Sequence, residues 1–472
     1  METDCRSEQL EFQGLGSRRV VAGFDAGRVT SDAGVLLLRE VAGQSGLLRD
    51  FAGCFRDYRN PRLIEHSVEE LVSQRVLGQA LGYEDLNDHD SLRDDALFAV
   101  GAGKEDPTGN DRPRKRDRGH PLAAHATLNR LELTPAAANE KSRYQKVVYD
   151  AGAIDDLLVD TMLRAHCEPP KRIVLDLDAT DDPLYGEQEG RFFHGYYRSY
   201  CYLPLYIFCG DFLLCARLRR SNIDASAGSV EELERIVARI RQRWPEVEIW
   251  IRADSGFARE AIMHWCEENR VQYVLGLARN TRLQGTLEEE MAEAKCRHEQ
   301  SGKPARIFKD FSYQTLDTWS RSRRVVGKAE WLPGKENPRF VVTSLGKEEV
   351  EPAELYEKIY CARGDMENRI KEQQLGMFAD RTSSHTMRAN QLRLYFASMA
   401  YVLVNELRRV GLAGTALARA QVSTIRTRLF KIAAIVRVSV RRVYVALSSV
   451  FPLRHTFCQA LLNLQCAYPL GI

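Results

Sequence analysis

The spacing of apolar and polar positions changes character near residue 170. Before it, helical spacing prevails. In "VEELVSQRVLGQALGY", Val68, Leu71, Val72, Val76 and Leu81 fall close to one helical stripe, and "AAHATLNRLE" begins a second helical stretch. Between them, residues 101–121 collect Gly, Pro and Asp and predict a loop. From residue 172 the runs become short and strand-like. Residues 172–178 predict a first strand. "CYLPLYIFC", then Gly210-Asp211, then "FLLCARL" predict a hairpin closed by a Gly-X turn. A helix is predicted from Ser229, with Ser229 and Glu232 as a capping box and Val230, Leu233, Ile236, Val237 and Ile240 along its apolar face. "VEIWIRAD" is a fourth strand ending on Asp254, "AREAIMHWCEENR" a helix and "VQYVLGLA" a fifth strand. Further on, "ARIFKDFSY", "SRRVVGKAEWL" and "PRFVVTSL" predict short strands that interrupt this core as an insertion.

The order strand, strand, strand, helix, strand, helix, strand is that of an α/β ribonuclease H-like core. This fold class divides the chain into a mainly helical region expected to bind DNA (1–165), a first part of the core (166–285), a β-rich insertion (286–350), a second part of the core with the third acid (351–410) and a basic helical C-terminal region for DNA contact or dimerisation (411–472). Candidate chemistry sits at the end of the first strand, in "KRIVLDLDATDD". Asp176 and Asp178 are two apart and point to one face of a strand. Unpaired buried carboxylates are costly, so such acids face a metal, a base or water. Asp176, Asp178 and Thr180 also fit the D-x-D-x-T pattern of aspartyl phosphatases. That class follows its first strand with crossover helices in a parallel sheet, and the hairpin at Gly210 argues against it.

Length, composition and charge narrow the class. A chain of 472 residues, 44% hydrophobic and 28% charged, predicts two to four globular domains. The first twenty residues hold no apolar core and no run approaches the roughly 18 apolar residues of a membrane span, so neither a secretory leader nor a membrane segment is expected. The 11 cysteines form no C-x-x-C pair, which disfavours structural zinc and a disulfide framework and fits a reducing cytoplasm. Net charge is only +2, but from Leu407 to Ile472 there are ten cations and no acid. A nucleic acid is the natural partner of such a stretch, with Arg426, Arg428 and Arg437 as candidate contacts; the alternative is a basic amphipathic helix that pairs with acidic surface elsewhere on the protein. "RPRKRDR" in the loop reads equally as a solvated linker or a backbone-binding strap.

The segment "YEKIYCARGDMENRIKEQQLG" places Tyr360, Arg363, Glu367 and Lys371 on a single helical stripe. Such a stripe packs poorly but suits an active site, with a carboxylate for metal and cations and a phenol for phosphate; the plainer reading is an exposed helix whose Arg363, Glu367 and Lys371 form i, i+4 salt pairs. Asp178 with Ala179-Thr180, "RADSGF" around Asp254, and Y-x-x-R-x-x-x-E at Tyr360, Arg363 and Glu367 together resemble the DDE transposases of bacterial insertion sequences, in the group with a β-strand insertion before the third acid. The likeness covers at least residues 170–410, and "GYEDLNDHDSLRDD", "ATLNRLE" and "HGYYRSYCYLP" resemble one branch of that group. The chain departs from the signature at Gln374, where the group usually has Lys seven residues after Glu; Lys371 lies four after.

The resemblance implies cut-and-paste transposition of double-stranded DNA at terminal inverted repeats. Asp178, Asp254 and Glu367 would hold two Mg²⁺ ions, with Mn²⁺ as a substitute. Tyr360, Arg363 and Lys371 would grip phosphate, and the protein would act as a homodimer on DNA. Trp319 in the insertion would stack on a flipped base or else fill the insertion's small core, and the same holds for Trp331. A catalytically silent DNA-binding regulator is the alternative within the same likeness.

Overall fold

The computed structural model describes residues 9–467. Two compact units emerge, one of residues 149–398 and one built from both ends of the chain, up to residue 148 and from residue 399 on.

The central unit is organised by one mixed sheet. Its strands are β1 (Arg172–Ala179), β2 (Leu205–Cys209), β3 (Phe212–Arg217), β4 (Glu248–Ala253), β5 (Gln272–Leu277), β6 (Ala305–Tyr313), β7 (Arg323–Leu332) and β8 (Arg339–Thr343), with the short Lys335–Glu336 pairing beside β7. The order across the sheet is β3-β2-β1-β4-β5-β8-β7-β6. β1, β4 and β5 run parallel, and every other neighbour pair is antiparallel. The Gly-X turn forms as predicted between β2 and β3, with Gly210 at a left-handed φ of 57° that costs glycine nothing.

Period-2 alternation assigns the two faces. Leu175, Leu177, Ile249 and Ile251 point one way and bury against Leu233, Ile236 and Ile240 of helix α1 (Ser229–Arg243) and Ile262 and Met263 of helix α2 (Glu260–Glu268). Their neighbours Trp250, Val274, Val326 and Val341 point the other way, against Leu355 and Tyr356 of the helical segment that runs from Pro352. Asp176, Asp178 and Arg252 therefore belong to this second face, beneath that segment. The segment contains wide π-turns at Leu355–Tyr360 and Glu372–Gly376, a feature that often marks functional sites.

The β-rich residues 286–350 join the main sheet, with β6, β7 and β8 extending it beyond β5. Two sequence expectations change here. The Ser229–Glu232 capping box does not form. Gly228, at φ 77°, precedes the helix and makes no side-chain cap, while Glu232 pairs with Arg217 and Arg235. The C-terminal region is not simply helical, because Ala434–Ser439 and Arg442–Leu447 form a hairpin with Val29–Thr30 paired beside it. Its β-branched alternation, with Ala434 and Val436 buried and Ile435 and Arg437 exposed, is strand-like.

In the unit built from the chain's ends, the helix Val68–Leu81 forms as predicted, and its capping box is made by Ser67 and Glu70. It buries the Arg75–Glu132 ion pair, 3.0 Å apart, against the predicted helix His125–Glu132. The N-terminal stretch also contains an exposed antiparallel pair, Leu10–Leu15 with Arg18–Ala22. No helix among the described residues is long and apolar enough to cross a membrane.

Candidate active site

The site is built where the middle strands end. β1 stops at Ala179, and Asp178 Oδ1 accepts a hydrogen bond from the Ala179 amide at 2.9 Å. β4 stops at Ala253; the next residue, Asp254, accepts from the Gly256 amide at 2.8 Å, which turns the chain away. The helical segment delivers the rest. Arg363 Nη1 lies 3.5 Å from Asp178 Oδ2, and its Nη2 donates to Glu367 Oε1 at 3.0 Å. Tyr360 places its hydroxyl over Gly276 of β5, where an added Cβ would stand 2.4 Å from the phenol oxygen and 3.3 Å from the Asp254 carbonyl carbon.

The electrostatics follow from this placement. Burial pushes the Asp178 carboxyl up to about 6; Arg363 opposes the shift, and the Asp254 and Glu367 carboxylates add to it. Burial works against the Arg363 charge, yet Asp178, Tyr360, Glu367 and Asp254 hold it on. Three acids thus share one guanidinium, and the site carries an excess of negative charge. They are not drawn into a ready cage, however. Among the described residues no cluster of three or more His, Cys, Asp or Glu is set to hold a metal. Arg363 bridges two of the acids, Asp178 and Glu367.

Asp176 has a different fate. Arg252 grips it in a two-pronged pair at 2.6 and 2.7 Å, and the third guanidinium nitrogen donates to the Ile359 carbonyl at 2.7 Å. The pair fastens β1, β4 and the helical segment together, and it leaves Asp176 engaged rather than available as a phosphatase nucleophile.

Other predicted residues divide. Lys371 is exposed, and its side chain joins none of the acids. Gln374, in the position where the resemblance looks for a lysine, donates to Asp182 Oδ1 at 2.9 Å and to the Asp181 carbonyl at 3.1 Å. Asp182 is fully buried, and burial pushes its carboxyl up to about 8, so at neutral pH it is a neutral acid. Trp319 does not present a stacking face: it is 6% exposed, packs edge-on to Tyr313 and lies under the Arg323 guanidinium. Arg426 is half-buried, donates to the Ala80 and Gln79 carbonyls at the end of the helix Val68–Leu81, and is lowered by burial to about 10. It holds the protein's own backbone. Arg428 and Arg437 are exposed. Sequence reading missed Tyr197, whose hydroxyl lies 3.5 Å from the Ala179 carbonyl within the electrostatic reach of Asp178. Its only signal was the aromatic density of "HGYYRSYCYLP".

A large mixed sheet that ends on two acids, with a third acid on a helix laid across it, defines a strand-end carboxylate site on an α/β protein. The chain belongs to the family described as transposase DDE domain, group 1, whose model matches residues 12–468. It is a DDE transposase by family, and DNA is the substrate which that membership implies. No curated protein matches the chain.

Because Gly276 makes room for Tyr360, Gly276→Ala is expected to displace the phenol. DNA strand cleavage should fall roughly tenfold or more, with a stability loss of about 1–3 kcal/mol from overpacking. Adding Tyr360→Phe removes the clashing oxygen and should restore part of the stability, since the new Cβ still stands 3.0 Å from the Ser255 amide nitrogen, but not the activity. Thermal melts and a cleavage assay on the single and double variants check this.

Proposed function

We propose that this protein carries out cut-and-paste transposition of an insertion sequence, cleaving DNA strands at terminal inverted repeats and joining them to target DNA, from a ribonuclease H-like core. The observation that carries the reading is that Arg363 lies against both Asp178 and Glu367, with Asp254 at the end of the neighbouring strand and within their electrostatic reach. The strand order supports it too, since the first and fourth strands lie side by side and parallel, so their C-terminal ends bring Asp178 and Asp254 to one edge.

The donor chemistry fits Mg²⁺ or Mn²⁺. The three side chains offer only carboxylate oxygens, the ligands hard divalent cations prefer, and their surplus negative charge is offset by a single guanidinium. Asp178, Asp254 and Glu367 would hold the metal. When bound, two such ions supply an activated nucleophile and a stabilised leaving oxygen in an in-line displacement at phosphorus. The protein's own groups do the rest. Arg363 bridges Asp178 and Glu367 in the absence of substrate, and a guanidinium so placed can exchange a carboxylate for a phosphate oxygen. Tyr360 is fixed by Gly276 and the strand end beside Asp254, a rigid donor for a neighbouring phosphate. Asp176 and Arg252 take no part in the reaction; they hold the strand ends and the helical segment in register. Action as a homodimer on DNA would place one such site at each end of the element.

The exposed Arg428 and Arg437 bind DNA backbone in this reading. Changing both to Ala should reduce the dependence of log Kd on log salt by about 1.8, at roughly 0.9 for each phosphate no longer neutralised. Arg426→Ala belongs to another category, and a thermal melt should report it as lost stability. The function itself is tested by nicking of DNA that flanks the gene, expected in Mg²⁺ or Mn²⁺ and suppressed in Ca²⁺.

A further inference from the structure

We propose that Asp182 and Gln374 are positioning residues for the proposed active site, a hydrogen-bonded clamp that ties the backbone after Asp178 to the helical segment carrying Glu367 and so sets the spacing of those two acids. The inference rests on the reading of Asp178 and Glu367 as parts of one centre. It gives neither Asp182 nor Gln374 a contact with metal or DNA. Gln374 lies about two turns beyond Glu367, in the wide turn Glu372–Gly376. Asp182 opens the short strand Asp182–Pro183, which is anchored by pairing with Tyr202 and Cys201. One carboxamide joins the two elements: Gln374 Nε2 donates to the Asp181 carbonyl at 3.1 Å and to Asp182 Oδ1 at 2.9 Å.

Glu367 depends on this clamp for its place. Its carboxylate bonds only to Arg363 among the described residues, so its position follows from the backbone that carries it. Met366 and Ile370 bury on either side of it. Apolar burial is non-directional and does not fix the register of the segment along its axis. Directional bonds do, and they stand on both sides of Glu367. Arg252 holds the Ile359 carbonyl before it, and the Asp181–Asp182 backbone and carboxyl hold Gln374 after it. The Arg369–Asp211 pair between them reaches the Gly210 turn, not the strand ends.

The clamp is built around a neutral acid. Asp182 is fully buried, and no cation pairs with it among the described residues. The charged groups that face it are the acids Asp380 and Asp181, and the Tyr206 phenol and the Cys201 thiol also lie within its electrostatic reach. Burial pushes its carboxyl up to about 8; Gln374 opposes the shift, and Asp380 and Asp181 add to it. Oδ1 accepts from Gln374, so the proton belongs on Oδ2, a buried atom with no hydrogen-bond partner among the described residues. Gln374 suits such an acid because an amide donates without bringing a charge. An ionised Asp182 would be a buried carboxylate with no cation to meet, which is costly, so the clamp opens as pH rises through about 8. Asparagine at this position keeps the acceptor for Gln374, replaces the O–H by N–H and has nothing to ionise.

The experiment is metal-free hydrogen exchange of the full chain, beside Mg²⁺ titrations of the melting temperature and DNA cleavage and binding assays, at about pH 7 and about pH 9. Gln374→Ala and Asp182→Ala should speed exchange of the amides in residues 364–376 by roughly tenfold or more and leave those of β1 and β4 unchanged. Both should raise the Mg²⁺ midpoint several-fold and lower cleavage by up to about 10²-fold, as a small misplacement of a reacting group does, with the Kd for DNA within about twofold. In the parent, protection of residues 364–376 and the Mg²⁺ response should both weaken at the higher pH. Asp182→Asn should show the parent's protection and Mg²⁺ midpoint at the lower pH and hold them at the higher. Unchanged protection in Gln374→Ala, or an alkaline loss that persists in Asp182→Asn, would overturn the proposal. Weaker DNA binding by Gln374→Ala with protection intact would also overturn it and make Gln374 a DNA contact. If the alanine variants do not fold, the pH comparison of parent with Asp182→Asn decides alone. A parent with no Mg²⁺ response, whose alanine variants still lose protection, would count against the single metal centre and leave the clamp standing.

Discussion

Alanine at Asp178, Asp254 or Glu367 is expected to remove strand cleavage by at least about 10³-fold, equivalent to about 4 kcal/mol of barrier, while leaving DNA binding nearly intact. Carboxylates repel DNA when no metal is present, so they add little to holding it. In the proposed mechanism their contribution is to fix metal ions, and a displacement that uses two ions would lose both activation and leaving-group stabilisation when one is misplaced. Arg363→Ala should behave differently. It lies against both Asp178 and Glu367, and a guanidinium that exchanges onto phosphate contributes to affinity as well as positioning. Cleavage should fall and the end complex should loosen together. Gel shifts beside cleavage assays, on precut and uncut ends, separate the two patterns.

The second large effect is one of stability, and it distinguishes the two acids of β1. Asp176→Ala removes one partner of a buried, two-pronged ion pair and leaves the Arg252 charge with only a carbonyl to face. Loss of such a partner costs about 3–5 kcal/mol. Asp178→Asn should do the opposite. Its folded pKa of about 6 lies above the ordinary carboxylate value, so folding favours the protonated form. The stability linked to that proton is complete below about pH 4 and is lost as pH rises through 6. At pH 7.5 the ionised acid therefore costs on the order of 3 kcal/mol, which Asn relieves. Chemical denaturation of parent and both variants at pH 4 and pH 7.5 checks this: Asp176→Ala should be weaker at both, and Asp178→Asn should gain only at the higher pH. Mg²⁺ should raise the melting temperature of the parent at pH 7.5 and leave that of Asp178→Asn nearly unmoved.

How much of this was legible in the sequence depends on the range of the interaction that decides each feature. The strand ends carrying Asp178 and Asp254 were readable because acids closing apolar runs are local signals. The β2–β3 hairpin was readable because Gly210 must take a left-handed φ. The helical stripe from Tyr360 to Glu367 was readable from spacing alone. What was not readable depended on distant partners. The roles of Asp176 and Asp178, two residues apart on one face, were separated by Arg252, 76 positions away in the chain. That β6 to β8 extend the main sheet was not readable, because nothing local says that β8 will pair with β5. Arg426 counted as a surface cation in the acid-free stretch, yet it ties off a helix 346 residues earlier. Trp319 read equally as a stacking face or as core, and its burial against Tyr313 makes it core. The Ser229 box failed for a nearer reason: Glu232 found stronger partners in Arg217 and Arg235 than a backbone amide.

The central claim is that Asp178, Asp254 and Glu367 form one metal-dependent centre that cuts DNA. Its most direct test is mapping, at single-nucleotide resolution, the 3′-hydroxyl ends produced on a plasmid that carries the gene with its flanking DNA. Parent protein and Glu367→Gln are compared in Mg²⁺ and in Ca²⁺. The account predicts discrete ends at the boundaries of inverted repeats, with parent protein in Mg²⁺ only. Ends produced equally by Glu367→Gln would contradict the assignment of the third acid and point to Asp365 or Glu372 in its place; a folded, DNA-binding parent that yields no ends in Mg²⁺ would contradict the claim itself and leave a DNA-binding regulator.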